Sequence, residues 1–293
     1  MASKKRETHR MPKVLANEAI AQYQQEGFFS PLQVMSERDT AALRCELETF
    51  EKSQGHPIEG FQRTKNHLLF KWVDDLMRNP RLLDAVEDLI GENILCWNTV
   101  FWIKEANSPS YVGWHQDLQY WGLDNDELVS VWFALSPASA ESGCMSVIPG
   151  SHKQQLGHRE TYHEDNMLTR GQEIDIVVGD QPTIPMPLSP GQVSLHNVKC
   201  AHGSGPNTTD DRRIGLSLHY MPTHTKQLQA EWDSAALVRG KDLFNNFVHA
   251  PIPTQDFDPE TVAFHKRASD TVRKIVYKDA EKQPNEGEYR PTL

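Results

Sequence analysis

The chain has 293 residues, of which 38% are hydrophobic and 24% charged, a composition typical of a globular protein. Its formal net charge of −10 argues against nucleic acid as a partner, because proteins usually bind nucleic acid through clustered lysine and arginine. No apolar run approaches the roughly 20 residues that a membrane helix requires, so we expect neither nucleic acid nor a membrane as a partner.

The two ends of the chain are predicted to be tails. The start is basic and lacks the apolar stretch of a secretory signal, which favours a disordered tail over residues 1–16. Residues 279–293 form a charged, proline-containing segment that we expect to be flexible. Residues 17–278 are then expected to fold as one domain.

The cysteines favour a reducing compartment. Cys45, Cys96, Cys144 and Cys200 are far apart and form no CxxC pair, as expected of free thiols rather than of disulfides or a zinc site. A cytoplasmic protein is therefore the default expectation, as a monomer or a homodimer.

Helices are predicted early in the chain and once near its end. Residues 17–25 carry apolar side chains at helical spacing and stop before Gly27, which is typical of a helix end. Ser36 is a suitable N-cap for a second helix, and Pro80 is typical of the first turn of a third. A last helix is predicted over residues 259–277.

The middle of the chain is predicted to be β-structure. Short runs rich in β-branched and aromatic residues alternate with clusters of Pro, Gly, Asn and Asp. The predicted strands are 94–103, 129–135, 144–149, 191–196 and 213–221. Helices followed by many strands predict a mainly β protein with flanking helices and a jelly-roll core. The polar segment 154–183 is long for a connection, so it is either a lid or a mobile surface loop.

The functional argument starts from a His-x-Asp pair. His115 and Asp117 follow a predicted strand, and residues two apart in a strand point to the same face. Their side chains can therefore share one metal ion. An isolated pair of this kind is a weak signal, because it also arises often by chance at a protein surface.

The best candidate for a third ligand is His202, which ends a strand-like run and precedes the turn-forming segment 203–207. Two imidazoles and one carboxylate on one face of iron(II) leave positions open for a co-substrate and dioxygen, which is why this ligand set is typical of non-haem oxygenases. The sequence therefore predicts His115, Asp117 and His202 as metal ligands and catalytic residues.

The strand that begins at Arg213 indicates an anion site. Alternation places Arg213, Gly215, Ser217 and His219 on one face of this strand and apolar residues on the other. An inward guanidinium needs an anion, and its fork of N–H groups matches a carboxylate. The distal carboxylate of 2-oxoglutarate would supply that anion.

With these motifs in place, the chain resembles the phytanoyl-CoA dioxygenase family of iron(II)/2-oxoglutarate oxygenases, whose core is a double-stranded β-helix of the cupin-like kind. The likeness runs from about Ala21 to Pro222. It is carried by Lys104, WHQD at 114–117, WFAL at 132–135, SGCMSVIPGSH at 142–152, HGSGPN at 202–207 and Arg213, eleven positions after His202.

The resemblance implies a set of site residues and a reaction. Iron(II) would be held by His115, Asp117 and His202, and 2-oxoglutarate by Arg213, Ser204, Trp132 and Lys71. Dioxygen is the second co-substrate, and succinate and carbon dioxide are released as a small organic substrate is hydroxylated at an unactivated C–H bond. Related halogenases carry a small residue in place of Asp117, so the carboxylate favours hydroxylation.

Residues around the His-x-Asp pair are candidates for the substrate site, although aromatic residues near a strand end are more often core. They are Trp114, Gln119, Tyr120 and Trp121. For His196 and His219, structural roles in hydrogen bonding or packing are expected ahead of chemistry. A CoA thioester would require a basic path for its phosphates, and none is obvious in this acidic chain, but the sequence does not identify a free metabolite either.

Two other functions stay open at this point. A cupin-like metal-dependent isomerase or hydrolase would keep the metal and ignore 2-oxoglutarate, and a non-catalytic binding module would keep the fold alone. Arg213 discriminates the first of these from the oxygenase, because only the oxygenase requires Arg213 to bind 2-oxoglutarate.

Overall fold

The computed structural model describes residues 11–282. The α-helices in this range are α1 (Asn17–Glu26), α2 (Glu37–Gln54), α3 (Lys71–Met77), α4 (Pro80–Ile90) and α5 (Pro259–Val276). The strands are β1 (Phe28–Gln33), β2 (Ile94–Lys104), β3 (Val112–His115), β4 (Val129–Ala134), β5 (Met145–Val147), β6 (His158–Glu160), β7 (Gln172–Ile174), β8 (Ile184–Pro185), β9 (Gln192–Asn197), β10 (His202–Ser204), β11 (Arg213–Pro222), β12 (Ser234–Arg239) and β13 (Val248–His249). None of the helices in residues 11–282 has the length and apolar character to cross a membrane.

The strands form two main sheets. The larger has seven strands in the order β1-β9-β4-β11-β2-β12-β13, and the smaller has four in the order β3-β10-β5-β8. The pairings are antiparallel except for that between β12 and β13. The predicted mainly β jelly roll with flanking helices is confirmed, as two open sheets rather than a closed barrel in the described part of the chain.

The two faces of the large sheet are covered by different layers. One face packs against α1 to α4 in a cluster that includes Tyr23, Leu47 and Val86. The other face packs against the small sheet and α5, with Trp132 and Val272 in one cluster. The pocket described below lies between the two sheets, so inward-facing residues of the large sheet line its wall.

Strand β11 shows how alternation sorts side chains between these layers. Ile214, Leu216, Leu218 and Tyr220 pack in the helix-facing cluster, whereas Arg213, Ser217 and His219 line the pocket. Because successive side chains of a strand point to opposite faces, one strand supplies both layers. The alternation predicted for this strand is confirmed.

The predicted helices are present with the expected ends. Gly27 ends α1 in the left-handed conformation with φ of 85°, and the Ser36 side chain accepts a hydrogen bond from the backbone N–H of Asp39 at the start of α2. Helix α3 was not predicted, since its seven residues are too few for a clear apolar period. The four cysteines form no disulfide, as expected.

A β-bulge in β2 changes which of its side chains face the pocket. His219 pairs with Asn98 and Tyr220 with Cys96, so Trp97 is an extra residue in the ladder. Alternation along β2 therefore shifts by one at this point, and Trp97 packs in the same cluster as Trp102 instead of with the helices.

The predicted tails need correction where they are described. Within residues 11–16, the backbone N–H groups of Lys13, Val14 and Leu15 donate to the Asp88 carboxylate at 2.8, 2.9 and 2.9 Å, and Leu15 is buried. Near the other end, the backbone N–H of Lys282 donates to the Tyr162 hydroxyl. Residues 1–10 and 283–293 lie outside the described residues, so the tail prediction is not tested there.

The segment 154–183 is attached to the last helix. It carries β6 and β7, which pair as a small sheet. Arg170 donates to the carbonyls of Val276 and Lys278, and the Tyr277 hydroxyl donates to the Thr169 carbonyl at 3.1 Å. These contacts join residues 158–174 to the C-terminal end of α5.

Candidate active site

The three predicted metal ligands meet in the structure. His115 ends β3, Asp117 begins a short 3-10 turn, and His202 begins β10, where it is paired directly with His115. His115 Nε2 lies 3.3 Å and His202 Nε2 lies 3.9 Å from Asp117 Oδ1. All three residues are buried, and one potential ligand atom from each lies within 4.8 Å of the others.

Backbone carbonyls fix the tautomers of both histidines. His115 Nδ1 lies 2.8 Å from the Gly113 carbonyl, and His202 Nδ1 lies 2.9 Å from the Cys200 carbonyl. A carbonyl only accepts, so each Nδ1 carries the proton and each Nε2 presents a lone pair. Burial also lowers the pKa of His202 well below its usual range, which keeps that ring neutral.

This donor set fits a metal cation. His115 Nε2 is buried without a hydrogen-bond partner among the described residues, and it faces a carboxylate oxygen that also has no proton to offer. Lone pairs that converge in this way repel each other unless a cation lies between them. Two neutral imidazoles and a carboxylate are the ligands that iron(II) binds in non-haem oxygenases.

The second oxygen of Asp117 is held by a row of side chains on the large sheet. His219, Ser130 and His196 are directly paired across β11, β4 and β9. Ser130 Oγ donates to Asp117 Oδ2 at 3.0 Å and lies 3.0 Å from His219 Nδ1, and His196 Nε2 lies 3.7 Å from the same oxygen. Burial raises the pKa of Asp117, whereas the charge of the neighbouring histidines in their protonated form lowers it well below the usual range.

Gln116 anchors the backbone between the two ligands of the His-x-Asp motif. Its side chain is fully buried and donates to the carbonyls of Gln154 and Lys199 at 2.9 and 2.6 Å, while its Oε1 accepts from the N–H of Leu156. The residue between the ligands therefore points away from them and is fixed by three elements of backbone.

Arg213 lines the same pocket as the candidate metal ligands. Its guanidinium is buried and lies over the Trp132 ring at 5.2 Å, and Nη1 donates to the Gly143 carbonyl at 2.9 Å. Nε and Nη2 have no partner among the described residues. Burial lowers the pKa of Arg213 to about 10, which still leaves it charged at neutral pH. Such a cation with free N–H groups fits a carboxylate.

A buried lysine lies beside Arg213. Lys104 is paired directly with Arg213 across β2 and β11, and its ammonium donates to the Ser204 hydroxyl at 2.7 Å and to the Gly205 carbonyl. Burial, together with the charge of Arg213, lowers the pKa of Lys104 to about 6. A dianion bound beside Lys104 would stabilise its charged ammonium form and so oppose this lowering of the pKa.

Trp132 and Gly215 are packed against each other in the wall of the pocket. A Cβ atom at Gly215 would overlap the six-membered ring of the Trp132 indole. The glycine therefore lets the indole lie across β11 beside Arg213.

We expect Gly215→Ala to displace the Trp132 ring. Overpacking of this kind lowers the free energy of unfolding by about 1–3 kcal/mol, which urea denaturation would measure. Gly179→Ala is the matched control, because a Cβ at Gly179 meets no atom within 4 Å, and its stability should be unchanged. Equal stability of the two variants would contradict the packing described here.

The structure does not bring Lys71 into the site, contrary to expectation. Lys71 begins α3, its ammonium pairs with Asp75 one turn along the helix, and its backbone N–H donates to Asp256 at 2.7 Å. It does not line the metal pocket. Lys104 is the lysine that the pairing of β2 with β11 places beside Arg213.

The predicted substrate residues separate into three groups. Trp121 lines the metal pocket together with Trp132 and Ser204. Trp114 faces a neighbouring cavity on the other side of the small sheet, and Gln119 and Tyr120 line a polar cavity with Arg170. Only Trp121 of the four is thus placed beside the candidate metal ligands.

The sequence did not identify Ser130 as a site residue, and it predicted structural roles for His196 and His219. In the structure both histidines line the metal pocket, and Ser130 contacts Asp117. Alternation places each side chain inward within its own strand. The direct pairing of the three strands, which puts them in one row, has no local signal in the sequence.

Comparison with known proteins identifies relatives of this chain. A family model described as phytanoyl-CoA dioxygenase matches residues 12–215, which include the three metal-ligand candidates and Arg213. A probable alpha-ketoglutarate-dependent hypophosphite dioxygenase of Stutzerimonas stutzeri is 33% identical over 182 residues, or 60% of this chain. A probable phytanoyl-CoA dioxygenase of Caenorhabditis elegans is 30% identical over 149 residues, or 48%. The chain spans 62% and 48% of the lengths of these two relatives.

Solved structures give longer matches. The apo form of ThoJ, a non-heme monooxygenase, has a TM-score of 0.79 and 30% identity, and the match covers 89% of this chain and 98% of ThoJ. Its nickel complex has a TM-score of 0.72 at 28% identity, covering 87% and 97%. A non-heme alpha ketoglutarate dependent carbocyclase from nogalamycin biosynthesis has a TM-score of 0.59 at 22% identity, covering 74% and 89%, which shows a shared fold.

Proposed function

The chain belongs to the phytanoyl-CoA dioxygenase family, and from this premise we propose that it hydroxylates a small organic molecule at an unactivated C–H bond, with release of succinate and carbon dioxide. Its cofactors are iron and 2-oxoglutarate, which is also called alpha-ketoglutarate, with dioxygen as co-substrate. One observation carries the proposal. The unprotonated nitrogens of His115 and His202 converge on Asp117 in the same pocket as a guanidinium that lacks a carboxylate partner.

In this proposal His115, Asp117 and His202 hold the iron. When bound, iron(II) and 2-oxoglutarate supply the activation of dioxygen and the oxidising power that a C–H bond requires. The chain contributes the orientation of the ligands. The carbonyls of Gly113 and Cys200 hold the two rings, and Ser130 keeps one carboxylate oxygen occupied so that the other faces the histidines.

Arg213 would bind the distal carboxylate of 2-oxoglutarate. Its unpartnered Nε and Nη2 are available for that carboxylate, and Trp132 limits where the guanidinium can move. Lys104 holds Ser204 in place beside the same position. Arg213 discriminates this proposal from a cupin-like isomerase or hydrolase, because only the oxygenase requires Arg213 to bind 2-oxoglutarate.

The rest of the pocket would exclude water. Besides its polar groups it is lined by Trp102, Val112, Trp121 and Met145, all of which are buried. An apolar lining protects a reactive site from side reactions with solvent. Related halogenases carry a small residue at the position of Asp117. The carboxylate of Asp117 therefore favours hydroxylation over halogenation.

Anaerobic addition of iron(II) and 2-oxoglutarate tests the proposal. We expect the weak visible charge-transfer band of their chelate, and after admission of air we expect dioxygen uptake with succinate in proportion. Omission of 2-oxoglutarate should abolish the band, the dioxygen uptake and the succinate. Absence of the band at saturating reagents would overturn the proposal, whereas a screen of metabolites scored by extra succinate would identify the substrate.

A further inference from the structure

The far end of the metal pocket carries two polar atoms that nothing described so far uses. His219 Nε2 and Trp121 Nε1 are both buried without a hydrogen-bond partner among residues 11–282, and both side chains line the pocket. His219 is 4% exposed and Trp121 is 0% exposed. Their rings lie 4.5 Å apart in a T-shaped pair.

His219 and Arg213 lie at opposite ends of the part of β11 that lines the pocket. His219 lies six residues further along β11 than Arg213, which is about 20 Å at the rise of a β-strand. In the proposed function 2-oxoglutarate lies between Arg213 and the metal ligands, and His219 lies beyond Asp117, which it reaches through Ser130. The end of the pocket at His219 is therefore available for the substrate.

The hydrogen-bond chain to Asp117 defines what His219 presents. Ser130 has one hydroxyl proton and donates it to the Asp117 carboxylate, which only accepts. Ser130 must therefore accept from His219 Nδ1, so that nitrogen carries the proton. Burial lowers the pKa of His219 to about 4, so the ring is neutral and Nε2 is an acceptor. Trp121 Nε1–H is a donor.

We propose that His219 and Trp121 bind a hydroxyl group of the substrate, so that the substrate is a small neutral alcohol. This inference rests on the proposed function, because it places the substrate beside the metal. A hydroxyl donates to His219 Nε2 and accepts from Trp121 Nε1 with one atom. An ether has no proton for His219, and an ammonium group has no lone pair for Trp121.

The charge of the pocket supports a neutral substrate. Among the described residues that line it, Arg213 is the one permanent cation, and it lies at the opposite end of β11. Lys65 is near the Trp97 ring, but its ammonium is taken up by the carbonyls of Trp97 and Ser234. A carboxylate or phosphate beside His219 would therefore meet no side-chain cation, and the charge of bound iron(II) is already offset by Asp117 and the dianion 2-oxoglutarate.

Isomeric probes test the inference without turnover. The full chain would be loaded with zinc(II) and 2-oxoglutarate, and the binding of butan-1-ol, methyl propyl ether and butylammonium would be measured by ligand-observed NMR. The first two are isomers of nearly equal size, so a difference between them reports the hydroxyl proton. We expect butan-1-ol to bind about tenfold more tightly than either other probe, as for one neutral hydrogen bond at the strong end of its range.

Two substitutions at His219 separate its two nitrogens. His219→Asn keeps an amide where Nδ1 donates to Ser130 and removes Nε2, so it should bind butan-1-ol as weakly as the ether. His219→Gln places its amide near Nε2 and loses the contact with Ser130, so it should keep part of the preference for the alcohol. Trp121→Phe removes the N–H together with one ring of the indole and should reduce the preference for the alcohol over the ether, whereas Trp232→Phe, stacked under Arg267, should not.

The chelate band separates this inference from the proposed function. If wild type forms the band with iron(II) and 2-oxoglutarate but binds alcohol and ether equally, the inference is wrong and the function stands. If wild type forms no band, the function fails first. The band in His219→Asn also shows that the variant is folded, and an unchanged alcohol preference in such a variant would overturn the inference. If His219→Asn does not fold, Trp121→Phe takes its place. An unchanged alcohol preference in folded Trp121→Phe would likewise overturn the inference.

Discussion

Replacing Arg213 with alanine should raise the dissociation constant for 2-oxoglutarate by about 30-fold or more while iron(II) binding is retained. Loss of one partner from a buried, hydrogen-bonded charge pair costs about 2–5 kcal/mol, and 2 kcal/mol corresponds to this factor. Titration of the anaerobic iron-loaded protein with 2-oxoglutarate, followed by the chelate band, measures it. Arg213→Lys keeps a charge but not the fork of N–H groups, so its affinity should be intermediate.

Lys71→Ala is the matched control for Arg213. The family resemblance implied the same role for both residues, but the ammonium of Lys71 pairs with Asp75 on the surface of α3. Its removal should leave the affinity for 2-oxoglutarate unchanged. Metal-dependent turnover that survives in Arg213→Ala would instead favour an isomerase or hydrolase that ignores 2-oxoglutarate.

Replacing Asp117 with alanine should weaken iron(II) binding by more than about 100-fold. Loss of a group that only positions a metal ligand typically costs about 10–100-fold in affinity, and Asp117 is the ligand itself in our proposal. The loss of iron(II) affinity in Ser130→Ala should fall within this range of about 10–100-fold, because Ser130 only holds Asp117 Oδ2 in place. Anaerobic competition with a coloured chelator gives both affinities.

Asp117→Asn tests the charge separately from the shape. An amide has the size of the carboxylate but no negative charge, so iron(II) binding should also be weak in this variant. Asp175→Ala removes an exposed carboxylate outside the metal pocket and should bind iron(II) as wild type does. Unchanged affinity in Asp117→Ala would remove Asp117 from the ligand set.

The sequence predicted the parts of the site that depend on local spacing. His115 and Asp117 lie two positions apart, Arg213 and His219 share one face of a single strand, and His202 precedes a turn. Each of these relations is set by the geometry of a few consecutive residues, so the pattern is visible without the fold.

The parts that the sequence did not predict depend on how strands pair. Lys71 and Lys104 are both lysines near apolar runs, and only the pairing of β2 with β11 places Lys104 beside Arg213. The bulge at Trp97 shifts alternation within β2 without a glycine or proline to mark it. Ser130 contacts Asp117 because β4 lies between β9 and β11, and strand order is a property of the whole sheet.

The attachment of Arg170 to the last helix has a consequence for the order of assembly during synthesis. Its guanidinium ends on the carbonyls of Val276 and Lys278, 106 and 108 positions later in the chain. The ribosome therefore releases all three metal-ligand candidates well before Val276 and Lys278. All three ligand candidates are therefore synthesised while residues 158–174 still lack their contacts with α5, and translation of α5 supplies those contacts last.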